Sequence, residues 1–214
     1  PIGNLDDITY RAIETLKNVD LVLAEDTRKS KILFKKYAIT TSLKSYHINN
    51  EHRVVNLYVA SLVDGKKIAL VSDAGTPSIS DPGFLLIRES IKKNIEIICL
   101  PGATALIPAL VMSGLPSEKF VFEGFLPKKK GRDSRLKELA IEKRTVILYE
   151  SPLRVIKTLQ DLKEFFGSDR RISLSREISK IYEETYRGTI ENAIAHLSNK
   201  NPKGEFVICI DKLG

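Results

Sequence analysis

Ser72-Asp73-Ala74-Gly75-Thr76-Pro77-Ser78-Ile79-Ser80-Asp81-Pro82-Gly83 is the stretch from which the fold can be read. The apolar run before it, residues 68–71, has the length and content of a fully buried strand. Residues 84–93 after it carry apolar side chains at helical spacing. The stretch is therefore a long crossing from the carboxyl end of a parallel strand to a helix, the place where open α/β sheets bind ligands. Gly75 allows close approach of backbone to a bound group, and Pro77 stiffens the turn. Asp81 reads as the N-cap of the helix, with Pro82 in its first position. Loops of this length between short elements usually serve function.

A second stretch repeats the pattern. Residues 95–100, Ile-Glu-Ile-Ile-Cys-Leu, read as another buried strand, followed by Pro101-Gly102-Ala103-Thr104 and an apolar helix over 105–112. Two neighbouring strands ending in glycine-containing turns form a crevice lined with backbone N–H groups. Such a crevice suits an anionic or dipolar small molecule.

Outward from these turns, residues 8–17 form a helix capped by Asp6 or Asp7. A strand over 20–24 delivers Glu25, Asp26, Thr27 and Arg28 to the same sheet edge, with Asp26 able to cap a helix over 27–37. A strand at 42–45, a helix at 51–63 and the strand at 68 continue the alternation of a doubly wound parallel sheet. Ser113-Gly114-Leu115-Pro116 punctuates the chain and divides it into domains of residues 1–115 and 116–214. Beyond it, strands are expected at 120–125, 145–149, 171–176, 183–188 and 205–210. The helices among them are expected at 135–142, 153–166 and 190–198.

The formal net charge is +7. Residues 1–115 hold 14 basic and 12 acidic side chains, residues 116–214 hold 20 and 15, so the excess lies mainly in the second half. That half contains Lys128-Lys129-Lys130-Gly131-Arg132, a basic loop suited to a phosphate backbone or simply to solvent. Phe125 beside it reads as core, with stacking on a base as the alternative. Cys99 and Cys209 lie in strand-like runs and read as buried thiols without a disulfide framework. The three histidines lack zinc-type spacing, so no metal site is expected. No apolar run has the length of a membrane span and no signal peptide is visible, which makes the cytoplasm the expected compartment.

The ordered set of motifs carries a resemblance. Pro1-Ile2-Gly3-Asn4-Leu5, Ala24-Glu25-Asp26-Thr27-Arg28, the 72–83 stretch and Pro101-Gly102-Ala103-Thr104-Ala105-Leu106 are followed by Ser113-Gly114-Leu115-Pro116 and Gly124-Phe125-Leu126-Pro127. Tyr149-Glu150-Ser151-Pro152, Arg176-Glu177-Ile178 and Gly204-Glu205-Phe206-Val207 complete it. Together they resemble the tetrapyrrole methylase superfamily, and within it the branch that 2′-O-methylates a cytidine of 16S ribosomal RNA with S-adenosylmethionine. The resemblance implies two α/β domains, the first with a mainly parallel sheet and the second with a mixed one, and an active cleft between them. It also implies a homodimer. Members of the family have a short apolar strand ahead of Pro-Ile-Gly-Asn and a small domain after the last motif, so this chain is expected to be a fragment. The family motifs assign cofactor contacts to Asp73, Gly75, Pro77, Ser78, Ile79, Pro101, Gly102 and Thr104.

Methyl transfer from a sulfonium to a ribose hydroxyl is an in-line displacement that demands alignment and exclusion of water. The hydroxyl is a poor nucleophile, so a carboxylate placed to take its proton would help. Asp26, Glu150 and Glu177 stand at strand ends and are the candidates, each equally able to serve as a cap or an ion-pair partner. Arg28, Arg154 and Arg176, with Lys128, Lys129, Lys130 and Arg132, are the candidate phosphate contacts. Two other readings remain: a small-molecule methylase acting on a tetrapyrrole, and a nucleotide- or RNA-binding module without activity.

Overall fold

The computed structural model describes residues 1–198 and 200–213, and the chain forms two compact units, Pro1–Thr104 and Ala105–Gly214. The first unit runs α1 (Tyr10–Asn18), β1 (Leu21–Ala24), α2 (Thr27–Lys36), β2 (Leu43–Ser45), α3 (Glu51–Val63), β3 (Ile68–Val71) and α4 (Phe84–Ile91). Its strands form one parallel sheet in the order β2-β1-β3. Side chains alternate across a strand, and here both faces are apolar. Leu21, Leu23, Ile68 and Leu70 join Val55, Val59, Leu85 and Leu86 of α3 and α4. Val22, Ala69 and Val71 join Leu16 of α1 and Leu33 and Phe34 of α2. A strand covered on both sides must be apolar at every position, which is why β1 reads Leu-Val-Leu-Ala. Each of its fully buried leucine or valine side chains contributes about 1.5–3 kcal/mol.

Three local expectations are corrected in this unit. Asp6 and Asp7 sit in a short 3-10 turn capped by Asn4, while Thr9 caps α1 by accepting from the Ala12 N–H at 3.1 Å. Asp81 and Pro82 stay in the turn, and α4 begins after Gly83 at φ +141°. Residues 95–100 form no strand, and Ile97, Ile98 and Cys99 are exposed. β propensity becomes a strand only where another edge supplies hydrogen bonds. Among the described residues β3 pairs with β1 alone, and this apolar run does not dock on its open outer edge, so its propensity gains no ladder.

The second unit contains α5 (Leu106–Ser113), β4 (Phe120–Phe125), α6 (Arg132–Ala140), β5 (Thr145–Glu150), α7 (Val155–Phe166), β6 (Arg171–Arg176), β7 (Glu184–Thr189), α8 (Ile190–Ser198) and β8 (Phe206–Ile210). Its sheet is mixed, in the order β4-β5-β8-β6-β7, with β4 and β5 parallel and the other pairs antiparallel. Alternation again divides the side chains. Val146, Leu148, Ile172, Leu174, Ile208 and Ile210 face α6, α7 and α8 in one core. α5 packs on the strands β6, β7 and β8, and the Arg187 Nε donates to the Met112 carbonyl at 2.7 Å. The units therefore part at Thr104/Ala105 rather than at Ser113–Pro116. Gly114 is the left-handed C-cap of α5, so Ser-Gly-Leu-Pro stops a helix instead of dividing domains. Among the described residues no helix is long and apolar enough to cross a membrane.

Candidate active site

In the first unit the loop after β3 is folded by its own unusual backbone. Ser78 and Ser80 adopt positive φ, +74° and +63°, and the Ser78 N–H donates to the Pro82 carbonyl at 3.2 Å. A Cβ on Gly83 would lie 2.5 Å from Ser78 Oγ and 2.8 Å from Leu70 Cδ2, so this position admits no side chain without rearrangement. The Gly75 N–H donates to the Pro1 carbonyl at 3.0 Å, which brings the first residues of the chain against the loop. A Cβ on Gly75 would stand 3.7 Å from the Ala103 carbonyl. The two glycine-containing turns are therefore neighbours, as the sequence predicts, although the strand expected to bring the second one there is absent. Pro101 and Gly102 are exposed, and Thr104 is half-buried. The Ser78 hydroxyl is buried without a hydrogen-bond partner among the described residues. Pro77 is half-buried, while Ile79 is exposed and its N–H donates to the Thr76 carbonyl at 3.3 Å.

Asp73 ties this loop to the end of the central strand. One carboxylate oxygen accepts from the Asp26 N–H at 2.9 Å, and the other accepts from Lys29 Nζ at 2.6 Å. The Asp73 N–H in turn donates to Glu25 Oε2 at 3.3 Å. Asp26 caps α2, accepting from the Arg28 N–H at 2.9 Å, and its carboxylate takes both Arg28 Nε at 3.0 Å and Nη2 at 2.7 Å. The Arg28 side chain first, then its backbone N–H, hold the Asp26 carboxyl well below the usual range. Glu25 and Lys29 were not expected as site residues. Their signal is positional: Glu25 precedes the N-cap Asp26 and Lys29 stands in the first turn of α2, where β1 gives way to the helix.

The candidates of the second unit divide differently. Glu150 is corrected: its side chain is 1% exposed and cannot meet a substrate. It accepts from the Thr158 hydroxyl at 2.7 Å and from the Ser151 N–H at 2.8 Å, and pairs with Arg154 Nη2 at 3.4 Å. Arg132 is corrected as well. Its guanidinium, 7% exposed, donates to Asp161 Oδ2 at 2.7 Å, Thr158 Oγ1 at 2.9 Å and the Pro127 carbonyl at 3.0 Å. Arg154 Nη2 also donates to the Leu126 carbonyl at 2.9 Å. Buried Arg132 and half-buried Arg154 fix the two ends of a loop whose tip, Lys128, Lys129 and Lys130, is exposed. Phe125 is 51% exposed, not core, with its ring edge-on to Tyr149 at 5.8 Å. A bulge between Phe122 and Gly124 shifts the register of β4 just before it, and pairing resumes at Gly124 and Phe125.

Glu177 lies in the turn after β6 at φ +51°. It accepts from Lys180 Nζ and from the Glu205 N–H, both at 2.9 Å. Burial works to raise its pKa, but the Lys180 ammonium and that N–H outweigh it and the carboxyl ends below its ordinary value. Arg176 donates to the Lys203 carbonyl at 2.8 Å and pairs with Glu184 at 3.2 Å. Arg176 and Glu150 stand in register with the same residue of β8, Phe206, from its two sides. Among the described residues no cluster of three or more His, Cys, Asp or Glu could hold a metal ion.

A family model described as tetrapyrrole (corrin/porphyrin) methylases matches residues 1–194. Ribosomal RNA small subunit methyltransferase I of Synechocystis sp. is 51% identical over 211 residues, covering 98% of this chain and 76% of that protein. The protein of the same name from Thermotoga maritima is 45% identical over 210 residues, covering 98% of this chain and 94% of its own length. A solved diphthine synthase shares the fold with a TM-score of 0.75 at 11% identity, over 98% of this chain and 86% of that one. A uroporphyrin-III C-methyltransferase from Thermus thermophilus, complexed with S-adenosyl homocysteine, superposes with a TM-score of 0.66 at 17% identity, over 97% and 92%.

Proposed function

The chain belongs to the tetrapyrrole methylase family, and on that premise we propose that it is an S-adenosylmethionine-dependent methyltransferase acting on the ribose 2′-hydroxyl of a cytidine in 16S ribosomal RNA. The observation that carries this reading is the Asp73 tie, which gathers the glycine-containing loop, Glu25 and Asp26 at the carboxyl edge of a parallel sheet. The names of relatives at up to 51% identity support the RNA substrate, and the exposed lysines of the 128–130 loop supply the charge such a substrate needs. The enzyme works in the cytoplasm as a homodimer.

The residues present fit the cofactor. The buried Ser78 hydroxyl lacks a partner, and the loop around it offers main chain in place of long polar side chains. Asp73, Gly75, Pro77, Ser78 and Ile79 hold it from one turn, and Pro101, Gly102 and Thr104 from the other. When bound, it supplies a methyl group on a cationic sulfur. Asp26 would take the proton of the ribose hydroxyl as the methyl passes from sulfur to oxygen and the neutral thioether departs; of the three candidates it is the one whose backbone N–H is bonded to the cofactor loop. Arg28 fixes the orientation of Asp26. Lys128, Lys129 and Lys130 hold the RNA backbone, screened increasingly as salt rises.

The test supplies labelled S-adenosylmethionine with small-subunit RNA or particles in one arm and a porphyrinoid in the other. Label in RNA, at a cytidine whose 3′-linkage resists alkali, is the expected result. Label in the porphyrinoid alone would replace this function with a small-molecule one.

A further inference from the structure

The first unit contains a groove of about 470 Å³ that the cofactor loop does not fill. Its volume is in the range of sites for small ligands. Glu25 from the end of β1, Ile48, Glu51 and His52 from the turn and first residues of α3, and Phe84 and Arg88 from α4 line it. All follow the carboxyl ends of parallel strands. One wall is made by residues 80–83 of the cofactor loop itself, and Glu25 also accepts from the Asp73 N–H. The groove is thus contiguous with the site that holds the reacting group.

Its chemistry is selective. Phe84 is 64% exposed and Ile48 70% exposed, which gives a flat planar group two apolar surfaces. Arg88 lies over the Phe84 ring at 5.4 Å and is paired with Glu89. The other polar groups are mainly carboxylates, from Glu25, Glu51 and Asp81. They repel phosphate and favour a ligand that presents N–H donors. Glu51 is held from beneath: Tyr46, fully buried, donates its hydroxyl to Glu51 Oε2 at 3.4 Å.

We infer that this groove is the nucleobase subsite, in which Phe84 packs on the ring of the target base and Glu51 accepts from its exocyclic amine. Cytosine presents such an amine, whereas uracil presents a carbonyl oxygen at the same position and is rejected by the carboxylate. This rests on the RNA 2′-O-methylation reading and extends it from the transferred group to the choice of base.

The experiment compares RNA carrying cytidine or uridine at the modified position, with the wild-type chain, Glu51→Gln, Glu51→Asp and Phe84→Ala, and measures cofactor affinity in parallel by calorimetry. Glu51→Gln is expected to lower kcat/KM on cytidine RNA by about tenfold and to narrow the cytidine-to-uridine ratio. Glu51→Asp restores part of that ratio. Phe84→Ala raises KM for RNA with kcat nearly kept, and cofactor affinity stays within about twofold throughout. Wild-type KM and base preference in Glu51→Gln and Phe84→Ala would overturn the subsite while leaving the methyltransferase reading intact. Loss of cofactor affinity in Glu51→Gln would overturn it too, by assigning the groove to the cofactor. A wild-type chain that binds cofactor and methylates neither RNA overturns both readings together.

Discussion

The Asp26 N–H donates to the Asp73 carboxylate at 2.9 Å across 47 positions of sequence, joining the exit of the central strand to the loop that follows its neighbour. Asp73→Ala removes this acceptor and the partner of Lys29 together. An orphaned N–H and a lost charged hydrogen bond predict a loss of about 1–3 kcal/mol. Cofactor affinity falls with it. Asp73→Asn keeps an acceptor for the N–H, so it loses less stability in denaturant titrations while still forfeiting the Lys29 pair.

Arg28 sets the acid limb of the pH profile. It depresses the Asp26 pKa, so the carboxylate stays ionised through the range where an ordinary Asp, near 4, would protonate. With the ionised form as the active one, activity is lost only as pH falls through the depressed value. Arg28→Ala lets that value rise, and the acid limb of kcat/KM moves to higher pH. Asp26→Asn should lower kcat by about 100-fold or more without changing cofactor affinity. An acid limb unmoved in Arg28→Ala would remove Asp26 from proton transfer.

Glu150 distinguishes a structural carboxylate from a catalytic one. Glu150→Ala leaves half-buried Arg154 short of a counter-charge and the buried Thr158 hydroxyl without its acceptor, which costs about 1–3 kcal/mol. Glu150→Gln, which keeps the shape, retains turnover per folded molecule. A large fall in kcat with an unchanged melting curve would return Glu150 to the catalytic set.

Gly83 and Gly102 separate steric need from tolerance. Gly83→Ala introduces a methyl 2.5 Å from Ser78 Oγ at φ +141°, and thermal melts should show a loss beyond the ordinary glycine-to-alanine change, with cofactor binding impaired. Gly102→Ala meets nothing nearer than the Leu100 carbonyl at 4.0 Å, so its stability stays close to wild type.

The two thiols report opposite environments. Cys99 is exposed, whereas burial pushes the Cys209 thiol up to about 12. A maleimide at neutral pH should label Cys99 in the native chain and reach Cys209 only after denaturant is added. Mass spectrometry of tryptic peptides checks this.

Much of the architecture is legible in local pattern. Short apolar runs bounded by turns give β1 and β3, and the Asp-Thr-Arg sequence gives the cap of α2, because these features depend on neighbours in sequence. Residues 95–100 mislead for the complementary reason: composition says that they would suit a ladder, but not whether they dock on the open edge of β3. Glu150 and Arg132 mislead because charge suggests solvent. Their burial is compensated by Thr158 and Asp161, from a helix that spacing alone does not connect to them. The Ser-Gly-Leu-Pro sequence is a genuine stop signal, and only the packing of α5 on the second sheet tells which unit it belongs to.

The lysine loop is hung from Arg132 and Arg154, both of which donate to carbonyls at its base. Anchorage and grip are thereby assigned to different side chains. Substitutions at Lys128, Lys129 or Lys130 can retune the hold on a polyanion while the mounting remains unchanged, so this surface is free to vary in strength without refolding the unit that bears it.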